Sequence, residues 1–317
     1  MLLIGGENLI DFVSGDLSEN GLPTYIAYPG GSPFNVAISA ARQGQKVLYL
    51  TPISNDALGN LITTHLVESG VKIAAPKVDA PTSLAIVSLR EGIPSYSFHR
   101  NGTAERQISM PKLTSYTPQD AQVFHIGSLG LIDGEDADIW EEYFRISNKR
   151  GLLTSLDPNV RPILINNRQA YLDRIFRMMR YADILKMSDE DLMWLYPDRA
   201  LTNAISNCIS DSNAVLLILT LGSKGSLGFT RDIEITIPAR TVSNLCDTVG
   251  AGDTFMATIL VNLIEMGYVN REKLSSIEET ELRNSMSLAS VAAAINCERS
   301  GCNPPLRSEL ILDEQKY

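Results

Sequence analysis

The feature that most restricts the fold is an alternation repeated along the chain. Short apolar runs of strand length occur at 2–4, 46–51, 123–126, 152–156, 184–187 and 215–220. Between or after them lie stretches with helical spacing, at 33–42, 55–69, 136–149, 168–179, 189–195, 253–265 and 281–297. In the first of these, Phe34, Ala37, Ile38 and Ala41 share one face and Gly44 supplies the stop. Strands joined through helices need crossover connections, and crossovers make neighbouring strands parallel. The expected class is therefore α/β, with a mostly parallel central sheet covered by helices. The run at 215–220 is apolar throughout, as befits a strand buried on both faces.

Two segments break the rhythm. Residues 12–28 carry Gly15, Gly21 and Pro23 among short extended pieces, and 81–107 holds two strand-like runs around a Glu91-Gly92 turn. Neither can supply a helix-covered layer. Together they read as a small antiparallel β-sheet projecting from the main body; the plain alternative is a surface hairpin. This divides the chain into a core of 1–12, 29–80 and 108–317 and a small sheet of 13–28 and 81–107.

Composition narrows the partners. The 27 Lys and Arg residues against 37 Asp and Glu leave a formal charge of −10. Phosphate backbones and anionic membrane surfaces attract basic proteins, so neither nucleic acid nor membrane is expected. No apolar run approaches the ~20 residues of a membrane helix. The start MLLIGGENLIDFV has no basic leader and reads as a strand rather than an export signal. Cys208, Cys246, Cys297 and Cys302 make no CxxC pair, and with only three histidines a metal site is disfavoured. Four reduced thiols in a cytoplasmic protein are expected, with a Cys297–Cys302 disulfide as the alternative. Asn101-Gly102-Thr103 is then a turn, not a glycosylation site.

Several nucleotide and hydrolase signatures are missing: GxxxxGK[ST], GxGxxG after the first strand, HExxH and GxSxG. One dense stretch stands out, Asp247-Thr248-Val249-Gly250-Ala251-Gly252-Asp253-Thr254-Phe255. Its glycines let backbone N–H groups point into open space, and a helical pattern starts at once with Phe255, Met256, Ile259 and Leu260. A helix N-terminus behind such a turn suits a phosphate. Asp253 at its mouth either caps the helix or accepts a proton from a hydroxyl nucleophile. A second glycine-rich turn, Pro29-Gly30-Gly31-Ser32-Pro33-Phe34-Asn35, also feeds a helix. With Asp11 it offers carboxylate and amide groups for sugar hydroxyls, although Asn35 and Asp11 are equally ordinary as helix-start and turn residues.

The two turns, in this order and more than 200 residues apart, resemble the signatures of the ribokinase-like (PfkB) carbohydrate kinases, and the likeness runs over essentially the whole chain. It implies a three-layer α/β/α sandwich with a β-sheet lid, and transfer of the ATP γ-phosphoryl group to a sugar hydroxyl. On this likeness Asp253 is the catalytic base, and the N–H groups of Gly250, Ala251 and Gly252 form the anion hole. Asp11, Gly31 and Asn35 fall at sugar-binding positions, and Arg100 in the lid segment is a further candidate. Asp157-Pro158-Asn159-Val160-Arg161 resembles the family's DxNxR element and puts Arg161 near the transferred phosphate. Lys186, Thr220, Gly222 and Gly225 fall where relatives contact nucleotide, and Ser290 where some have an asparagine near adenine.

The chain also departs from the pattern. The family's NxxE motif reads Ser188-Asp189-Glu190-Asp191, so Ser188 and Asp191 stand in its functional positions. Mg²⁺ held through water at Asp191 is expected, and K⁺ near Asp247, the Val249 carbonyl and the Gly301 loop. The segments GENLIDF, GGSPFNVA, FHRNGTAERQ and DPNVRP look most like those of fructokinases. Ribose, a nucleoside or 2-keto-3-deoxygluconate remain open as substrates, since Arg90, Arg100 and Arg106 lie in or near the lid. A sugar-binding regulator without turnover and a nicotinamide-dependent oxidoreductase are the readings from other classes. The likeness also implies a homodimer through the lid sheet.

Overall fold

The computed structural model describes residues 1–90 and 93–314. The expected Glu91-Gly92 turn and the Arg90 side chain lie outside the described residues. In chain order the strands are β1 (Leu2–Ile4), β2 (Leu9–Leu17), β3 (Pro23–Gly30), β4 (Val47–Tyr49), β5 (Lys72–Ile73), β6 (Leu84–Arg90), β7 (Ile93–His99), β8 (Val123–Gly127), β9 (Leu153–Asp157), β10 (Ile184–Ser188), β11 (Leu216–Thr220), β12 (Ser226–Phe229) and β13 (Glu234–Ile237). They form one large sheet in the order β13-β12-β11-β10-β9-β8-β1-β4-β5, and a small one in the order β3-β2-β6-β7.

From β11 to β5 every pairing in the large sheet is parallel. Period-two alternation splits each strand between two layers. Leu2 and Ile4 join one core with the helices Ser32–Arg42, Ala57–Glu68, Ala251–Glu265 and Glu279–Cys297. Leu3 faces the other, with Trp140, Tyr143, Phe144 and the helices Gly134–Lys149, Arg168–Met179, Asp189–Leu195 and Leu201–Asp211. The result is an α/β/α sandwich. The antiparallel edge β12–β13 has a local cause: Leu221 N–H donates to the Gly225 carbonyl at 2.8 Å, and so short a turn can only reverse the chain.

The small sheet is mixed, which corrects the antiparallel expectation. β2 pairs with β3 antiparallel, but with β6 in parallel, Ile10 opposite Leu84 and Val13 opposite Val87. Between β3 and β6 the chain builds part of the core, so it re-enters the small sheet from the side that β2 left. The sheet also reaches further toward the core than 13–28 and 81–107, beginning at Leu9 and ending β3 at Gly30. Val13, Leu17, Tyr25 and Ile26 of this sheet and Leu22 of the turn between β2 and β3 are exposed. Among the described residues, no helix is long and apolar enough to cross a membrane.

Candidate active site

Parallel strands deliver their C-terminal ends to one rim, and in such sheets this rim is where ligands meet the chain. Here β9 ends at Asp157, β10 at Ser188 and β11 at Thr220, and β1 leads through Gly5-Gly6 to Glu7. The Ser32–Arg42 and Ala251–Glu265 helices pack against each other at the same rim.

The Ala251–Glu265 helix opens with Gly250 at φ +74°, a left-handed conformation that L side chains rarely adopt. A Cβ there would lie 2.3 Å from Cys302 Sγ, so the position also lacks room for a side chain. Thr254 N–H starts the helical ladder by donating to the Gly250 carbonyl at 2.8 Å, and Ala251 N–H closes on the Thr248 carbonyl at 3.3 Å. The N–H groups of Gly250, Gly252 and Asp253 have no backbone acceptor among the described residues. Of the three donors expected for an anion hole, Gly250, Ala251 and Gly252, Ala251 N–H is thus bonded within the turn itself.

Asp253 is 6% exposed. Its Oδ1 accepts from Ser32 Oγ at 2.6 Å and its Oδ2 from Asn35 Nδ2 at 2.7 Å. Burial pushes its carboxyl above the ordinary range, and the Ser32 and Asn35 donors and the Lys186 charge pull it back. Asn35 keeps Oδ1 without a partner among the described residues, an acceptor held in reserve beside the carboxylate. The Lys186 ammonium pairs with Asp157 at 2.6 Å and lies 3.3 Å from where a Cβ on Gly252 would stand. Burial works against its charge, yet Asp157 more than offsets this and raises the Lys186 pKa. A fixed cation therefore sits directly beneath the helix mouth, where an anion gains most.

The second glycine-rich turn lies alongside. Gly31, at φ +111°, precedes the Ser32–Arg42 helix, and its carbonyl receives the Asn35 N–H at 2.9 Å. Gly30 has no space for a Cβ because Asp11 Oδ2 would be 2.4 Å away, so the Asp11 carboxylate lies over the turn. Burial raises the Asp11 pKa to about 6 against the opposing charge of Arg161. Asp11, Gly31, Asn35, Asp253, Gly252, Lys186 and Arg161 are thus gathered in one cleft. Arg161 is exposed and folds onto its own loop, donating to Asn159 Oδ1 at 2.6 Å.

Other expected residues find different partners. Arg100 is buried in an ion pair with Glu105 at 2.9 Å and donates to the Leu129 carbonyl at 3.0 Å, which commits its guanidinium to the base of the lid. Arg106 pairs with Asp136 at 2.7 Å. Ser290 Oγ accepts from Arg240 N–H at 2.9 Å and so pins the segment after β13. Thr220 lies opposite Ser188 in the β10–β11 register, with Gly222 exposed in the following turn. A Cβ on Gly225 would come within 2.0 Å of the Ile237 carbonyl, which makes this glycine a packing requirement.

The departure at 188–191 has a local logic. Ser188 Oγ accepts from Asp191 N–H at 3.0 Å, while Asp191 Oδ2 accepts from Ser188 N–H at 3.1 Å, a reciprocal cap on the Asp189–Leu195 helix. Asp191 Oδ1 also receives Val160 N–H at 2.8 Å, tying the helix to the Arg161 loop. Asp247 accepts from Val249 N–H at 2.9 Å and Gly301 N–H at 3.0 Å, and the Val249 carbonyl is taken by Asn296 Nδ2 at 2.7 Å. All four cysteines are free.

Reading the residues alone overlooks Glu7 and Ser32. Glu7 is fully buried, and its Oε1 receives Ser32 N–H at 2.9 Å while Oε2 receives Gly130 N–H at 3.3 Å. Burial raises its pKa to about 7, with the Arg100 charge opposing. Both residues lie inside the segments GENLIDF and GGSPFNVA, but nothing local distinguishes them from capping and packing residues.

Comparison with known proteins adds to this geometry. Residues 6–309 match the family model described as "pfkB family carbohydrate kinase". A fructokinase of Rhizobium leguminosarum bv. trifolii is 35% identical over 290 residues, covering 90% of this chain and 86% of its own. Probable fructokinase-4 of Arabidopsis thaliana is 31% identical over 309 residues, covering 96% and 93%. A fructokinase from Xylella fastidiosa, solved with bound ATP, superposes with a TM-score of 0.87 at 25% identity, over 99% of this chain and 98% of that one.

Proposed function

The chain belongs to the pfkB family of carbohydrate kinases, and from that premise we propose that it transfers the γ-phosphoryl group of ATP to fructose, giving fructose 6-phosphate. The observation that carries this reading is the buried Asp253 carboxylate, held by Ser32 and Asn35 at a helix mouth with Lys186 beneath it. The names of the relatives at 31–35% identity support fructose as the acceptor.

In the proposed reaction the sugar lies over the Gly30-Gly31 turn, with hydroxyls toward Asp11 and the free Asn35 Oδ1. The attacking hydroxyl gives its proton to Asp253 as its oxygen bonds to the γ-phosphorus, and the bond to the β,γ-bridging oxygen breaks to release ADP. Backbone donors at Gly250, Gly252 and Asp253, with Lys186 and Arg161, carry the growing negative charge. The lid closes over the sugar and excludes water. Thr220, Gly222, Gly225 and Ser188 line the nucleotide side, with Ser290 toward the base.

Among the described residues there is no group of three or more His, Cys, Asp or Glu side chains placed to hold a metal ion. We give Asp191 the role of holding, through water, a Mg²⁺ carried by the nucleotide phosphates. When bound, the ion neutralises phosphate charge. We place K⁺ beside Asp247; replacing potassium by tetramethylammonium salts tests it, and an unchanged rate removes it. The ATP requirement and four free thiols favour the cytoplasm, and the exposed apolar residues of the lid favour a homodimer.

The deciding experiment is a sugar panel with ATP and Mg²⁺. Fructose is expected to give the highest kcat/KM. A chain fastest on ribose, a nucleoside or an acid sugar ends the fructose assignment, and no ATP consumption with any sugar ends the kinase itself.

A further inference from the structure

Ser32 is 6% exposed and is the first residue of the Ser32–Arg42 helix. Its backbone N–H is taken by Glu7, whose second carboxylate oxygen anchors Gly130. The turn that presents the Ser32 hydroxyl is thereby fixed from below. That hydroxyl donates to Asp253 Oδ1 at 2.6 Å while Asn35, three residues on and on the same helical face, donates to Oδ2 at 2.7 Å. Two donors from one turn grip both oxygens, which sets the plane of the carboxylate. Each carboxylate oxygen offers two lone-pair directions, so the Ser32 bond leaves one on Oδ1 for an acceptor alcohol.

We propose that Ser32 is a positioning residue for phosphoryl transfer: its hydroxyl, set by Glu7 through the turn backbone, keeps Asp253 ionised and facing the cleft. This rests on Asp253 being the base. The charged and titratable groups facing Asp253 are Lys186 from β10, Asp157 from β9 and the Cys302 thiol from the segment after the Glu279–Cys297 helix. Lys186 favours the ionised carboxylate, and Asp157 and burial oppose it. Cys302 is itself held neutral, because burial raises its thiol well above the ordinary range. With Asn35 engaged on the other oxygen, Ser32 is the one hydroxyl donor among these groups. Removing it must raise the pH at which the base loses its proton.

The test is kcat against pH at saturating fructose and ATP. In Ser32→Ala the acid limb should move up by about one pH unit or more, the worth of one hydrogen bond to a charged group. The high-pH plateau should fall less than about tenfold, because there the base is ionised without help. Ser32→Thr should restore the parent limb. Ser32→Cys, close in volume and a weak donor, should move the limb as alanine does, and covers the case of an alanine variant that fails to fold. A limb that stays in place in both Ala and Cys variants, with rates lowered equally at every pH, overturns the proposal and leaves Ser32 a packing residue. Asp253→Asn separates the two levels: if that variant keeps its kcat, the base assignment and the Ser32 proposal fall together. If it loses kcat while the Ser32 limb is unmoved, the Ser32 proposal alone falls.

Discussion

A buried carboxylate is costly unless donors satisfy it, and the 253 side chain shows how that cost is met. Three groups distant in sequence, Ser32, Asn35 and Lys186, converge on it. Asp253→Asn keeps the shape but cannot accept the proton, so kcat is expected to fall roughly 10²–10⁴-fold, measured with ATP and fructose saturating. A variant with near-parent kcat would show that Asp253 only caps the helix. Asn35→Ala removes the reserve acceptor, so calorimetry should find sugar binding weakened and ATP binding almost unchanged; the reverse pattern refutes the sugar assignment. Asp11 adds a pH dependence of its own. With its pKa raised to about 6, its ionised form, the acceptor for sugar hydroxyls, predominates above that pH. The KM for sugar should therefore rise as pH falls below about 6 and stay level above it, and Asp11→Asn should abolish that slope. Asp253, Asn35 and Asp11 were legible from their motifs. Glu7 and Ser32 were not, since a carboxylate and a hydroxyl near a turn signal nothing until their partners are seen.

At the scale of elements, the helix beginning at Gly250 depends on a packing coincidence. Gly250→Ala combines a left-handed backbone, roughly 1–2 kcal/mol for an L residue, with a contact at 2.3 Å to Cys302 Sγ. Both the melting temperature and kcat should fall. Adding Cys302→Ala removes the Sγ contact but leaves the Cβ of residue 302 at 2.7 Å and the backbone penalty, so a partial recovery of both is expected; no recovery would mean that the remaining contact and the backbone conformation decide. The helices at Arg168–Met179 and Asp189–Leu195 follow their sequence patterns residue for residue. The Leu201–Asp211 helix and the β12–β13 edge were not anticipated. The first follows a loop rather than a recognised strand, and the second depends on a turn that also reads as a nucleotide-site loop. Ser188 and Asp191, which depart from the family pattern, stand at the spacing of a capping box, and their reciprocal bonds realise it.

For the whole molecule, the small sheet is the element on which the proposed closure and association both rest. It leaves Val13 at 37%, Leu17 at 68%, Leu22 at 64%, Tyr25 at 41% and Ile26 at 52% exposed, with Val13 and Ile26 on the face of Asp11 and Tyr25 on the other. Clustered apolar exposure of this kind marks an interface. Sedimentation should find a dimer for the parent chain and a monomer for Ile26→Glu; a monomeric parent refutes the lid dimer. The parallel pairing of β2 with β6 follows from the path of the chain through the core, which no window of sequence contains.

Apolar periodicity and helix length dictate which strands cross over, so the layers are legible in the chain alone, as are the two glycine-rich turns that open helices. Which groups meet at those turns depends on the folded chain. Glu7 reaches Ser32, Ser32 reaches Asp253 and Lys186 reaches Asp157 across 25, 221 and 29 residues of chain. Hydrogen bonds and charge act over a few ångströms, and only folding brings such separations within that range.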